Sequence, residues 1–171
     1  MDTPGSVPFR ITVVCLGNIC RSPIGEAVLR ERVSRAGLPR PVEIDSAGTG
    51  DWHRGQGADP RALAVLDAHG YPHEHVARQI TPNWFAEIDL ALAMDESNYA
   101  NLERLIARSG QDTELRMMRS FDPSLVHLPE PHHELDVPDP YYGAGDGFVQ
   151  VLRMIERASD GLVEQLGIRL A

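Results

Sequence analysis

The chain has 171 residues, which is enough for one domain with a sizeable core. Its formal net charge of −9 disfavours a general nucleic-acid or anionic-membrane binder, so any recognition of phosphate must come from a local site. Two cysteines, no apolar run of spanning length and no signal-peptide pattern indicate a cytoplasmic, reducing location, with export by a signal-independent route left open.

Strands and helices are predicted to alternate along the chain. Residues 1–8 are typical of a flexible leader, and residues 9–171 of a single domain. Apolar runs rich in β-branched residues predict strands at 9–14, 42–45, 88–94 and 115–118. Helix signals predict helices at 23–36, 60–69, 96–108 and 147–166, with a short helical segment after Thr81. This order predicts an α/β, three-layer sandwich whose four-stranded parallel sheet carries helices on both faces.

The turn between the first strand and the first helix has the composition of an anion site. Cys15 ends the strand, and Ser22 followed by Pro23 is predicted to be the N-cap and first residue of the helix. Free backbone N–H groups at such a turn, together with the helix dipole, attract an anion. Gly17 and Asn18 tolerate the left-handed backbone that a tight loop needs.

Arg21 and Cys15 provide this turn with a phosphate ligand and a candidate nucleophile. The planar guanidinium of Arg21 can bind two phosphate oxygens at once. A helix N-terminus and a nearby guanidinium also stabilise a nucleophilic thiolate at Cys15, to which the Ser22 hydroxyl can donate. The alternative is that Cys15 is a small apolar residue at a strand end, as unpaired cysteines often are. The pattern Cys-x5-Arg-Ser-Pro after an apolar strand favours the nucleophile.

Three other site chemistries fit the sequence poorly. A nucleotide P-loop needs a lysine that this turn lacks. A redox Cys-x-x-Cys motif is absent because four residues separate Cys15 from Cys20. No cysteine and histidine set has the usual zinc spacing, and His127, His132 and His133 are more typical of a solvated loop. Neither a metal nor a cofactor is expected.

The segment Val14-Cys15-x5-Arg21-Ser22 resembles the signature of the low-molecular-weight protein tyrosine phosphatases of the bacterial type. The similarity runs from about Arg10 to the final helix, and several ordered blocks are more specific than Cys-x5-Arg alone, which also occurs in unrelated phosphatase folds. The further matching blocks are Asp45-Ser46-Ala47-Gly48-Thr49, Asp51-Trp52-His53, Asp59-Pro60-Arg61, Ala77-Arg78-Gln79, Met94-Asp95, Ser120-Phe121-Asp122-Pro123 and Asp139-Pro140-Tyr141-Tyr142-Gly143.

The resemblance implies a metal-independent phosphatase that forms a cysteinyl-phosphate. Cys15 would be the nucleophile, and Arg21 would bind phosphate and stabilise the transition state. The segment of residues 15–22, called the phosphate loop below, would supply the remaining phosphate-binding residues. These are Leu16, Gly17, Asn18, Ile19, Cys20 and Ser22.

A proton donor is expected in the long loop over residues 119–146. A carboxyl group there can protonate the departing oxygen if nearby negative charge and partial burial keep it protonated. From the residues alone, Asp122, Asp136 and Asp139 compete for this role, and each also fits a solvated turn. The resemblance selects Asp139 as general acid and then general base, since it lies in the Asp-Pro-Tyr-Tyr block.

Three aromatic residues are candidates for the mouth of the site. Tyr141 and Tyr142 directly follow the proposed acid and its proline, and Trp52 lies in a Gly-rich loop. They can flank a flat leaving group or simply pack locally. In the family, the matching positions line the mouth and favour phosphotyrosine. The resemblance thus implies phosphotyrosine-containing protein substrates, with inorganic phosphate and other oxyanions as inhibitors.

Two further roles are proposed around the phosphate loop. In proteins that the chain resembles, positions matching Asn18, Ser46 and His75 form a network that holds the loop, whereas the residues alone are also compatible with a surface His75. Cys20 can form a disulfide with Cys15 that protects the nucleophile from over-oxidation, or it can be a packed neighbour.

Three other functions are weighed against tyrosine phosphatase activity. Arsenate reduction occurs on the same fold but usually recruits further cysteines, and none follows Cys20. Phosphoarginine hydrolysis goes in this family with threonine at the position of Ile19. A phosphate-binding module that has lost catalysis fits poorly with intact Cys15, Arg21 and Asp139. The favoured interpretation is a protein tyrosine phosphatase that is a monomer or a weak homodimer.

Overall fold

The computed structural model describes residues 7–142 and 147–171, except for the side chain of Tyr142. Most of the predicted leader, residues 1–6, lies outside the described residues. Within these two ranges, no helix combines the length and the apolar character needed to cross a lipid bilayer.

A four-stranded parallel sheet forms the centre of the molecule. β1 (Phe9–Cys15) pairs with β2 (Val42–Gly48) on one side and with β3 (Leu90–Ala93) on the other, and β4 (Glu114–Met117) pairs with β3. The strand order is β2-β1-β3-β4, so β2 lies on one side of β1 and the later strands β3 and β4 lie on the other. The place between β1 and β3 is therefore a topological switch point. Ligands of open parallel sheets bind at such a point, beyond the strand ends, and Cys15 lies there.

Helices cover both faces of the sheet. The four helices are α1 (Arg21–Ala36), α2 (Pro60–Ala68), α3 (Glu96–Ser109) and α4 (Gly147–Arg169). Because side chains of a strand point alternately to opposite faces, Ile11 and Val13 join one core with α1, α2 and α4. Val14 joins a second core with α3 and the short 3₁₀ helix Pro82–Glu87. The predicted three-layer α/β sandwich is confirmed.

The start of α1 differs from the prediction. The helix begins at Arg21, its N-cap is Cys20 without a side-chain cap, and the predicted N-cap role of Ser22 is wrong. The hydroxyl of Ser22 instead contacts the Cys15 sulfur, as the sequence predicted, and also accepts from the Asn18 side chain. The predicted end is confirmed, since Gly37 caps the helix with a left-handed backbone at φ 59°.

The described part of the long connection between β4 and α4 contains several short 3₁₀ turns. Its described residues 119–142 are called the acid loop below. Val137 N–H donates to the Met94 carbonyl at 2.7 Å, which ties the loop to the end of β3. The loop therefore crosses the same end of the sheet as Cys15.

β2 is an edge strand, and arginine side chains occupy two of its outer carbonyls. Arg30 donates from Nε and Nη2 to the Ile44 carbonyl at 3.1 and 2.8 Å. Arg78 donates from Nη2 to the Ser46 carbonyl at 3.1 Å. Near the end of β2, Gly48 also bridges to Gln79, so the segment around Arg78 lies beside this edge.

Candidate active site

The phosphate loop holds the sulfur of Cys15 at the floor of a cavity. Cys15 is 3% exposed, and two polar groups converge on its Sγ. The Asn18 backbone N–H donates to Sγ at 3.3 Å, and the Ser22 Oγ lies 3.0 Å from it. A thiolate has no proton to give, so in that state both groups donate to the sulfur. The geometry therefore suits a negatively charged nucleophile.

Asn18 lies at the centre of the loop's hydrogen bonds. Its backbone is left-handed with φ 58°, a conformation that asparagine adopts at lower cost than most residues, and its side chain is fully buried. Its Nδ2 donates to the hydroxyls of Ser22 at 2.8 Å and Ser46 at 3.0 Å, and its Oδ1 accepts from Arg78 N–H at 2.9 Å. These three hydrogen bonds fix the conformation of the loop.

The predicted supporting residues Ser46 and His75 both contact Asn18. His75 Nε2 lies within hydrogen-bond distance of the Asn18 carbonyl, and burial lowers the pKa of His75 although that carbonyl opposes the shift. Ser46 accepts from Asn18 and donates to Glu26 Oε1 at 2.7 Å. Glu26, which the sequence analysis missed, is buried and pairs with Arg30 at 2.9 Å. The available signal was a single carboxylate within the apolar segment Ile24-Gly25-Glu26-Ala27-Val28-Leu29.

Arg21, near the end of the phosphate loop, is buried. It is held by a residue that follows β3 and by the acid loop. Its Nη1 donates to Asp95 Oδ2 at 2.6 Å and to the Val137 carbonyl at 2.9 Å, and its Nη2 lies 3.7 Å from Asp139 Oδ2. Burial alone would lower the pKa of Arg21, but Cys15, Asp95 and Asp139 raise it above its usual range. The guanidinium is therefore a fixed positive charge.

Asp95 is a second residue that the sequence analysis left without a role. Its Oδ2 accepts from Arg21, while its Oδ1 accepts from Asn98 N–H at 2.7 Å and so caps α3. One carboxylate thus fixes both a helix start and the orientation of a guanidinium. The block Met94-Asp95 directly after a buried strand was the signal that could have identified it.

The three competing carboxylates occupy different places. Asp122 is 2% exposed, accepts from Ser124 and faces Arg157, so it stabilises its own turn. Asp136 accepts from Glu96 N–H at 2.9 Å at the start of α3, and burial raises its pKa. In the described part of the chain, Asp139 is the one of the three that lines the cavity above Cys15.

The cavity above Cys15, called the reaction cavity below, has a volume of about 360 Å³. Four predicted phosphate-loop residues line it, and Asn18 and Ser22 lie buried next to them. His53, which was not predicted, joins the lining and packs against Gly17, where a Cβ would come within 3.0 Å of its ring. The lining residues are Cys15, Leu16, Gly17, Ile19, Cys20, Arg21, Trp52, His53, Asp139 and Tyr141.

Two of the three predicted aromatic residues lie at the mouth. Trp52 is 67% exposed, and its ring covers Gly50 so closely that a Cβ there would overlap it. Tyr141 is 38% exposed; its N–H donates to Asp139 Oδ1 at 3.0 Å, and Arg61 lies over its ring. The predicted side chain of Tyr142 lies outside the described residues. The mouth therefore offers aromatic surface directly beside a carboxyl group.

Both cysteines are free thiols. Burial, together with Asp59, Cys15 and Asp139, raises the pKa of Cys20 to about 12. Cys20 is thus a neutral thiol at ordinary pH, and it lines the same cavity as Cys15. In the described ranges no group of three or more His, Cys, Asp and Glu side chains is arranged to hold a metal ion.

Comparisons with known proteins identify the family of this site. Residues 10–170 match the model of the low molecular weight phosphotyrosine protein phosphatase family. A low molecular weight protein-tyrosine-phosphatase of Streptomyces coelicolor is 50% identical over 155 residues, which cover 91% of this chain and 92% of the relative.

Solved structures agree with this assignment. A protein tyrosine phosphatase from Entamoeba histolytica superposes with a TM-score of 0.81 at 32% identity, covering 94% of this chain and 98% of that one. A Drosophila arginine phosphatase superposes with a TM-score of 0.80 at 28% identity, covering 92% and 96%. The chain belongs to the low molecular weight phosphotyrosine protein phosphatase family.

Proposed function

We propose that the protein hydrolyses phosphotyrosine in protein substrates, with Cys15 as nucleophile, Arg21 as phosphate ligand and Asp139 as general acid and then base. One observation carries the proposal: a buried sulfur that receives two polar contacts lies in the same cavity as a fixed guanidinium and a carboxyl group. Each part of a two-step phosphoryl transfer is thereby present within one cavity.

In the first step the phosphate monoester binds to the loop amides and Arg21. The Cys15 thiolate attacks phosphorus, a P–S bond forms, and the bond from phosphorus to the tyrosine oxygen breaks. Asp139 gives its proton to that departing oxygen. The loop amides and Arg21 stabilise the charge on the equatorial oxygens, which is the main catalytic requirement of phosphoryl transfer.

In the second step Asp139 acts as a carboxylate base. It takes a proton from a water molecule, whose oxygen attacks phosphorus as the P–S bond breaks. Inorganic phosphate leaves, and the thiolate at Cys15 is restored with the Ser22 hydroxyl and Asn18 N–H donating to it. Inorganic phosphate and other tetrahedral oxyanions bind the same loop, so they are competitive inhibitors.

The lining of the reaction cavity favours an aryl phosphate. Trp52 and Tyr141 provide flat apolar area at the mouth, against which a tyrosine ring can stack. Ile19, 8% exposed, contributes an aliphatic side chain where phosphoarginine hydrolysis in this family goes with threonine. A guanidinium leaving group would lose water at this aliphatic wall without gaining a hydrogen bond. Phosphotyrosine is therefore preferred over phosphoarginine.

A panel of peptides tests the proposal directly. Phosphotyrosine, phosphoserine and phosphoarginine are placed in one peptide sequence, and phosphate release is measured with and without EDTA. We expect release from the phosphotyrosine peptide, unchanged by EDTA, with a phosphorylated Cys15 trapped by rapid acid quench. Cys15→Ser should bind phosphate without turnover. Turnover by Cys15→Ser, or faster release from phosphoarginine, would contradict the proposal.

Cys20 is proposed to protect the nucleophile from over-oxidation. Peroxide converts the Cys15 thiolate to a sulfenic acid, and the Cys20 thiol then displaces water to form a disulfide, which a reducing thiol opens again. Cys20 lines the same cavity as Cys15, and its raised pKa leaves Cys15 as the first target. Recovery of activity after peroxide and thiol should be lower in Cys20→Ser; equal recovery removes this role.

The protein is further proposed to act as a monomer or a weak homodimer. Sedimentation of the purified protein over a range of concentrations tests this state. A tight dimer at low concentration would contradict it.

A further inference from the structure

A second cavity lies beside the reaction cavity and shares a wall with it. Its volume is about 260 Å³, and Leu16 and Trp52 line both cavities. The remaining lining comes from the loop after β2 and from one face of α3. These residues are Thr49, Gly50, Asn101, Arg104, Leu105 and Arg108.

The shared wall is held in place by local packing. The Gly50 N–H donates to the Leu16 carbonyl at 2.9 Å, which joins the loop after β2 to the phosphate loop. The Trp52 ring lies over Gly50 and is 67% exposed, so it stands at the rim between the two openings. A chain that leaves the reaction cavity on this side passes directly over the second cavity.

The second cavity carries positive charge on a protein of net charge −9. Arg104 and Arg108 are both exposed and lie one helical turn apart on the same face of α3. Neither forms an ion pair with a carboxylate within residues 7–142 and 147–171, and no carboxylate lines this cavity there. Arg104 donates instead to the neutral side chain of Asn101.

Most arginines in the described part of the chain pair with Asp or Glu, as Arg32 does with Asp160 and Arg153 does with Glu156. The exposed Arg54 also has no ion pair there, but Arg104 and Arg108 are two unpaired arginines that line one cavity. Two like charges one turn apart destabilise a helix slightly, so α3 gains nothing from them by itself. An anionic ligand bound between the two guanidinium groups would offset that repulsion.

We propose that Arg104 and Arg108 form a subsite for the carboxylate side chain of an acidic residue close to the phosphotyrosine in the substrate. The inference rests on the proposed function, since it takes the phosphate of the same peptide to be in the reaction cavity. Consecutive Cα atoms are about 3.8 Å apart, so a residue one to three positions from the phosphotyrosine reaches across the Trp52 rim. The subsite selects among phosphotyrosine proteins rather than among phosphorylated residue types.

A glutamate scan tests the subsite. A single Glu is moved through each position on both sides of phosphotyrosine in an otherwise neutral peptide, and kcat/KM is measured for each. We expect a preference of about fivefold for Glu over Gln at one or two adjacent positions on one side, decreasing as salt is raised. In Arg104→Gln/Arg108→Gln the ratio of the Glu peptide to the Gln peptide should fall to about one.

A charge-matched control separates local recognition from general electrostatics. Arg35→Gln/Arg153→Gln removes the same charge from exposed positions on α1 and α4 and should keep the fivefold ratio. Loss of the ratio in both double variants, or no preference at any position in the wild type, would overturn the subsite. Hydrolysis of p-nitrophenyl phosphate by the wild type is measured in parallel, because its failure would instead refute the proposed function.

Discussion

The two halves of the candidate site are built differently. The phosphate loop is largely buried, and the Asn18 side chain at its centre bonds to Ser22, to Ser46 of β2 and to the Arg78 backbone N–H. In the acid loop, the side chain of Asp139 is 35% exposed and lies next to the partly exposed Tyr141. Binding of the phosphate is therefore determined by the fold, whereas delivery of the proton depends on a surface segment.

This difference separates stability from chemistry. Substitutions in the phosphate loop should reduce both the free energy of unfolding and the reaction rate, because the same contacts serve both. Substitutions of Asp139 should reduce the rate alone. Four substitutions, taken from the largest expected effect to the smallest, test whether the separation is real.

Arg21→Lys should have the largest effect. Lysine lacks the planar fork, and it leaves Asp95 and the Val137 carbonyl without the donor that Nη1 supplies at 2.6 and 2.9 Å. We expect kcat/KM to fall roughly 1,000-fold and the free energy of unfolding to fall by about 2 kcal/mol. Arg153→Lys on the exposed face of α4 is the matched control. A variant with unchanged stability would show that the buried contacts of Arg21 matter little to the fold.

Asp139→Asn should remove the proton donor while leaving the fold intact. With phenyl phosphate, a poor leaving group, we expect kcat to fall by about 100- to 1,000-fold, and with p-nitrophenyl phosphate far less. The free energy of unfolding, measured by urea titration, should change by less than about 0.5 kcal/mol, since the carboxyl group is partly exposed. An equal loss with both leaving groups would rule out Asp139 as the acid.

Asn18→Ala should lower both stability and rate. Alanine is strained at φ 58° and cannot replace the bonds to Ser22, Ser46 and Arg78. We expect a loss of about 2–3 kcal/mol in the free energy of unfolding and a roughly tenfold lower kcat. Asn18→Gly loses the same hydrogen bonds but tolerates the left-handed backbone. The difference in stability between the two variants therefore measures the backbone strain, and the loss that they share measures the hydrogen bonds. Identical stabilities would place the whole effect in those bonds.

His75→Gln should produce the smallest effect, visible as a change in pH dependence. Burial lowers the pKa of His75 below its ordinary 6.5, so the unfolded chain binds more protons than the folded chain just below that pH. Stability of the wild type should thus be complete above pH 6.5 and fall as the pH decreases toward the lowered value. In the variant, the thermal unfolding temperature should decrease less steeply as the pH falls below 6.5. The same slope in both proteins would exclude His75 as its source.

Much of the fold follows from local patterns in the sequence. The apolar run that ends in Cys15 and the left-handed cap at Gly37 bound β1 and α1 nearly where the sequence predicts them. β2 is longer than predicted and reaches Gly48, because each of its residues pairs with β1 in register up to Cys15. That pairing is a property of two distant segments, and no pattern within residues 42–48 encodes it.

The sequence predicted the residue types of the site and a few of its contacts, among them the one between the Ser22 hydroxyl and the Cys15 sulfur. The anion turn follows from backbone N–H groups and helix-start chemistry around Cys15. The contact between Arg21 and Asp95 joins residues far apart in sequence and depends on β3 lying beside β1. The N-cap prediction at Ser22 was wrong for a local reason, since a hydroxyl that fits an N-cap can equally bind a sulfur in the preceding loop.

The two arginines that bind the edge of β2 affect how molecules of the protein associate in solution. An edge strand with free carbonyls is a template on which another chain can add a strand, the usual route to sheet-based aggregation. Arg30 and Arg78 donate to the Ile44 and Ser46 carbonyls, so two of the acceptors that an added strand would need are already hydrogen-bonded. Since Ser46 also supports Asn18, the strand that steadies the phosphate loop is shielded from intermolecular pairing that would distort it.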